Sequence, residues 1–174
     1  MAYSILINAS IAAKNIDSYV KSAKYTGGAL ENGNVVVLGD KSTTAGESDV
    51  FVASLPATDT LNAVVYYMVS EAPIPLVGGK YKGITDDPRE FNIAANTIFN
   101  VVKPSIGDEI ILSEDGIAGT KGENTHIIPA DNTGELTWAS NITGVTLAYK
   151  LEKTTYISVG NERVRAYKFT CVKA

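Results

Sequence analysis

The chain has 174 residues, with 15 Lys and Arg against 19 Asp and Glu for a formal charge of −4, and it holds one His, one Cys and one Trp beside 15 Gly and 9 Tyr. A lone Cys excludes an intramolecular disulfide or a thiolate metal cluster, and a lone His excludes the two-His zinc motif. An acidic chain without a basic block is a poor ligand for nucleic acid, and the length suits one domain, with or without an attached arm, that needs no metal or disulfide to bury a core.

Ala12, Ile16, Tyr19, Val20 and Ala23 recur at helical spacing, with Ser10 in a capping position and Gly27-Gly28 beyond them. That pattern predicts a short amphipathic helix. Its polar and β-branched interruptions equally allow an extended arm that orders against a partner. On either reading residues 1–33 stand apart as an N-terminal segment, hinged at Gly27, Gly28 and Gly33, from a β-domain over 34–174.

From residue 34 onward the pattern is β. Strands are expected at 34–38, 49–54 and 61–70, and a loop at 77–87 follows Pro73 and Pro75, which lack ladder donors. Further strands are expected at 97–103 and 109–113, separated by a Pro-Ser-Ile-Gly-Asp turn and closed by Asp115-Gly116. Residues 118–133 are rich in Gly, Asn and Thr and read as a long surface loop. Strands at 135–139, 146–151, 154–159 and 163–172 complete the chain, the last two joined by Gly160-Asn161 as a type II′ hairpin. The fold class expected is all-β, a sandwich or barrel of about 8–10 short strands with an N-terminal arm or short helix.

The residues that could carry chemistry do not assemble into a motif. Val77-Gly-Gly-Lys80 lacks the first Gly and the Ser/Thr of a phosphate loop, since Tyr81 follows Lys80. Asp86-Asp87-Pro-Arg89-Glu90 lacks calcium-loop spacing and reads as a turn with Arg89 paired locally. Glu114-Asp115 are adjacent acids in a turn, whereas acid–base catalysis needs two carboxylates facing across a cleft. His126 has no nucleophile elbow to serve, and Cys171 reads as a buried strand residue. No catalytic residue, cofactor or metal is therefore expected. The opening Met-Ala-Tyr-Ser-Ile-Leu-Ile-Asn lacks the parts of a signal peptide, and no apolar run is long enough to span a bilayer, so a soluble chain made in a cytoplasm is expected. The two sequons, at Asn8 and Asn141, are then chance matches.

Tyrosine is the more telling residue type, because an apolar ring with a polar tip suits interfaces. Tyr149, Tyr156 and Tyr167 read as strand residues of the core. Tyr3, Tyr19 and Tyr25, with Ile5 and Ile7, read as contacts to a partner or a neighbouring copy.

Asp87-Pro-Arg-Glu-Phe91, the stretch Val102-Lys-Pro-Ser-Ile-Gly-Asp-Glu-Ile-Ile-Leu-Ser-Glu-Asp-Gly116 and the Ser-Ile-Leu-Ile-Asn opening resemble small structural proteins of tailed bacteriophages, in particular auxiliary capsid (head decoration) proteins. The resemblance covers about 30 residues plus the N-terminus. It implies a non-enzymatic virion component at the capsid surface that binds the major capsid protein and stabilises the head. A homo-oligomer is expected, with a trimer suited to threefold lattice points, and neither nucleic acid nor membrane as partner. Two other readings stay open: a tail-tube or head–tail connector subunit, and a carbohydrate-binding module in which Trp138 or an exposed Tyr stacks on sugar.

Overall fold

The computed structural model describes residues 3–57, 65–72, 76–77, 80–81 and 87–174. Residues 61–64 of the expected strand at 61–70 lie outside the described residues, as do 78–79 and 82–86 of the expected loop at 77–87 (Asp86 among them) and the side chain of Lys80; in the described part of that loop the backbone of Leu76–Val77 pairs with that of Lys80–Tyr81. The chain is all-β, and barrel and open sheet are both present. Its strands are β1 (Leu6–Ser10), β2 (Val20–Lys24), β3 (Val35–Lys41), β4 (Val50–Ser54), β5 (Tyr66–Val69), β6 (Leu76–Val77), β7 (Lys80–Tyr81), β8 (Ile98–Val102), β9 (Glu109–Ser113), β10 (Ile117–Ala118), β11 (His126–Pro129), β12 (Leu136–Ala139), β13 (Ala148–Val159) and β14 (Glu162–Lys173). A 7-stranded sheet runs β1-β9-β14-β13-β11-β12-β10, a closed barrel runs β2-β4-β3-β5-β8, and β6 pairs with β7 alone.

The sequence of β3 and β5 explains how barrel and sheet join. Val35-Val36-Val37-Leu38 and Tyr66-Tyr67-Met68-Val69 are continuous apolar runs, as expected of strands covered on both faces. Val36 and Val69 point into the barrel with Ala23, Phe99 and Val101. Val35, Tyr66 and Met68 point out of it, onto Ile110, Leu112, Tyr149, Tyr167 and Phe169 of the large sheet. The other barrel strands alternate, and their outward residues Val20, Val52 and Ile98 are exposed.

Residues 3–33 are not a separate arm, and no amphipathic helix forms there. β1 pairs antiparallel with β9, Leu6 opposite Leu112, and so forms one edge of the large sheet. β2 closes the barrel by pairing with β8 antiparallel and with β4 in parallel. Between them lie only two single 3-10 turns, Ala12–Lys14 and Asp17–Tyr19. The expected boundary at residue 33 therefore falls inside one packed unit. Polar tethers fix it further: Ser4 donates its N–H to Glu31 at 2.7 Å and its hydroxyl to the Asn32 carbonyl. Buried Asp108 accepts from the N–H groups of Ala12 and Ser105, both at 2.8 Å, which closes the turn before β9.

Two further expectations are corrected. Residues 118–133 are not one loop: β11 lies inside the sheet, with Ile127 fully buried, because a strand of four residues carries too little pattern to stand out among Gly, Asn and Thr. The expected strands 146–151 and 154–159 are one strand, β13, whose register slips between Leu151 and Lys153.

Candidate interaction surface

β13 and β14 form a hairpin that outruns the sheet. Gly160 and Asn161 are its two-residue turn, with Val159 opposite Glu162. Gly160 has φ +56°, the left-handed value a type II′ turn requires at its first central position. β9 accompanies β14 only over Ala166–Thr170, and β11 accompanies β13 only at Tyr149 and Lys150. Beyond these points the hairpin is a two-stranded ribbon.

The ribbon has a supported back and an open front. On the back, Ile157, Val159 and Ala166 bury against Ile5. Arg89 braces the turn end: its guanidinium bonds Glu162 at 2.7 Å and Asp87 at 2.7 Å, while its carbonyl accepts from the Tyr3 N–H at 2.8 Å. Asp87 also caps the Pro88–Glu90 turn by accepting from the Arg89 N–H. These hydrogen bonds from Arg89 hold the Asp87 carboxyl below the usual carboxylate range.

The front continues the face that, lower in the sheet, carries the core residues Tyr149, Leu151, Phe169 and Cys171. Past Tyr167 it carries the cross-strand pairs Tyr156–Arg165 and Ser158–Arg163 instead. Tyr156 is 59 % exposed, and both arginines are exposed. Arg165 stands 5.5 Å from the Tyr167 ring and 3.6 Å from Glu114. The Tyr167 hydroxyl donates to Glu114 at 2.7 Å, and burial together with that carboxylate pushes its pKa up. Arg163 makes no ion pair among the described residues. Tyr and Arg are the residue types that dominate protein–protein binding energy, and here they stand on a braced support. The exterior of the barrel offers a smaller apolar strip, Val52 and Ile98 on either side of Lys24, which pairs with Glu47 at 2.8 Å.

The structure disperses the residues expected to make partner contacts. Ile5 is buried in the protein's own core beneath the hairpin, because its strand is an integral part of the sheet. Ile7 is 40 % exposed on the edge strand. Tyr3, Tyr19 and Tyr25 are half-buried: Tyr19 packs on the main core with Lys103 Nζ 5.3 Å from its ring, and Tyr25 packs on the barrel core. Tyr149 and Tyr167 are core as expected, whereas Tyr156 is not, since no layer covers the hairpin there. Trp138 lies edge-on to Tyr167 at 5.1 Å and tilted against Phe169 at 5.7 Å, so its ring serves the core more than a sugar.

The candidate chemical groups have structural partners. His126 lies on β11 with Nδ1 3.0 Å from the Thr125 hydroxyl. Cys171 is buried on β14, and burial pushes its thiol up to about 12. Among the described residues no three His, Cys, Asp or Glu side chains gather at one point. A cleft lined by Val65, Lys103 and Leu147 among others holds about 10 Å³, room for a single water. The pairing of Tyr156 with Arg165 was the signal the sequence offered for the hairpin face: two of the three arginines sit two residues apart beside a Gly-Asn turn. Comparison with protein-family models, with curated proteins and with solved structures finds no match to this chain.

Proposed function

We propose that this chain is a non-enzymatic structural subunit of a tailed-bacteriophage virion, which binds the major capsid protein from outside as a homo-oligomer and stabilises the head. The observation that carries the reading is the braced hairpin front, where Tyr156, Arg163 and Arg165 face solvent on a support held from behind by Ile5 and Arg89. An exposed, braced surface of this kind suits docking on another protein more than enclosing a small molecule. The stretch that resembles decoration proteins includes the Asp87–Phe91 segment, which supplies that brace.

The test is co-sedimentation of the purified protein with capsids that lack it. Wild type is expected to bind, and the triple variant Tyr156→Ala, Arg163→Ala, Arg165→Ala to bind at least about tenfold more weakly with its melting curve unchanged. Rings or tubes formed by the protein alone in electron micrographs would favour a tail-tube or connector subunit instead. Binding on a glycan array without capsid binding would favour the carbohydrate module.

A further inference from the structure

We propose that the outer edge of β13 over Thr154–Val159 pairs antiparallel with the same edge of a second copy of this chain, about a twofold axis through Tyr156. This inference goes beyond capsid docking, and it concerns the strand edge, not the hairpin front.

The register determines which backbone groups are open. The two-residue turn makes Val159 and Glu162 a hydrogen-bonded pair. Alternation then makes Ile157–Val164 and Thr155–Ala166 hydrogen-bonded pairs as well, so Thr154, Tyr156 and Ser158 direct their N–H and C=O away from β14. No hydrogen bond from a described residue reaches those groups, because β11 leaves β13 at Lys150 and the last bond on that side is Leu151 N–H to the Thr125 carbonyl at 2.8 Å.

Proteins blunt exposed strand edges, and the other two ends of pairing in this sheet are blunted. On β1, Lys14 Nζ donates to the Asn8 carbonyl at 2.7 Å, and the register slips between Asn8 and Ser10. β10 is two residues long. The β13 edge has no such device past its bulge. Thr-Thr-Tyr-Ile-Ser-Val contains no charge, Pro or Gly and is rich in β-formers, the composition that pairs with another strand.

The edge is complementary to itself. With the axis at Tyr156, Tyr156 lies opposite Tyr156 of the second copy and Thr154 opposite Ser158, so every outward N–H meets an outward C=O. Sliding the copies by two residues toward the turns sets Thr154 against Gly160 and loses that match. In the matched register Lys153 faces Val159 and Glu152 faces Gly160, so no like charges oppose each other. On the front, the row across the axis reads Arg165, Tyr156, Tyr156, Arg165, so the two rings meet and the arginines stay apart. A twofold dimer therefore takes the place of the trimer expected from threefold lattice points.

Sedimentation equilibrium of the full-length protein is expected to give a dimer. Tyr156→Pro removes the donor at the axis on both copies and no bond to β14, and it is expected to weaken dimerisation about 30-fold. Tyr156→Cys keeps the hairpin intact and reports the register directly. Paired Cα atoms about 5.5 Å apart suit a disulfide, so mild oxidation should cross-link it, while Thr155→Cys, opposite Ile157, should not. Cys171 is buried and does not confuse the readout. A monomer, a trimer, or a dimer that Tyr156→Cys fails to cross-link overturns the proposal. A monomer that still binds capsids would overturn the pairing alone, and a cross-linked dimer that binds none would overturn the docking alone.

Discussion

Gly33 sits where backbone conformation and core packing constrain the same atom. Its φ is +89°, and a β-carbon there would lie 2.6 Å from Leu112 Cδ1. Leu112 is fully buried in the main core and has nowhere to retreat, while Gly33 is held in place by its N–H bond to the Val69 carbonyl at 2.9 Å. Gly33→Ala therefore incurs about 1–2 kcal/mol for the positive φ and about 1–3 kcal/mol for overpacking. The total of about 2–5 kcal/mol is a large part of a typical stability of about 5–15 kcal/mol. Gly46 has nearly the same φ, +87°, with nothing within 4 Å of its would-be β-carbon, so Gly46→Ala carries the conformational cost alone. The difference between the two variants isolates the collision. Urea unfolding followed by tryptophan emission measures it, because Trp138 is the only Trp and rests on Tyr167 and Phe169. In a Leu112→Ala background the clashing atom is gone, and the increment from Gly33→Ala should fall to that of Gly46→Ala. Equal costs for Gly33→Ala and Gly46→Ala in the wild-type background would refute the reasoning.

Ile5→Ala should cost about 2–4 kcal/mol in a thermal or urea melt, whereas Ile7→Ala, two residues along the chain, should stay within about 0.5 kcal/mol; equal losses would show that the N-terminal strand is not docked as described. The Asp87 carboxyl is depressed by Arg89, so its contribution is present above its unfolded pKa and is lost as pH falls through the folded one. Melting temperatures of wild type and Arg89→Ala measured between pH 5 and pH 2 should thus converge as pH falls, and a constant gap would contradict the pairing. Cys171, buried and shifted up to about 12, should resist alkylation in the native protein at pH 8 and react fully in denaturant. Fast native labelling would place it at the surface.

Local features were readable where local contacts decide. The run Glu109–Ser113 and the Gly160-Asn161 turn stand in the structure as the pattern predicts. The N-terminal segment was not readable because its partners are distant. Tyr19 packs on the main core and Ala23 lies in the barrel core, so a spacing that mimics one helical face serves two different cores. The hairpin face was hidden by the bulge at Leu151–Lys153. Tyr149 and Tyr156 differ by an odd number of residues and should alternate, yet the extra residue returns them to one face. Whether that face is covered depends on where the barrel ends, and within β13 and β14 only Arg163 and Arg165 point to it.

The position of β1 has a consequence for how the chain reaches its fold. β1 is an edge that rests on β9, far along the chain, and β9 in turn rests on β14, farther still. β2 likewise waits for both β4 and β8 before the barrel can close. β1 and β2 thus stay unpaired until these later strands are made, and closure of such long loops precedes any gain in contacts. Folding should be slow, so each chain would pass through a period with an uncovered β1 and β2. Association in that interval would trap misassembled copies, whereas in the folded chain the Lys14 bond to the Asn8 carbonyl blunts the β1 edge.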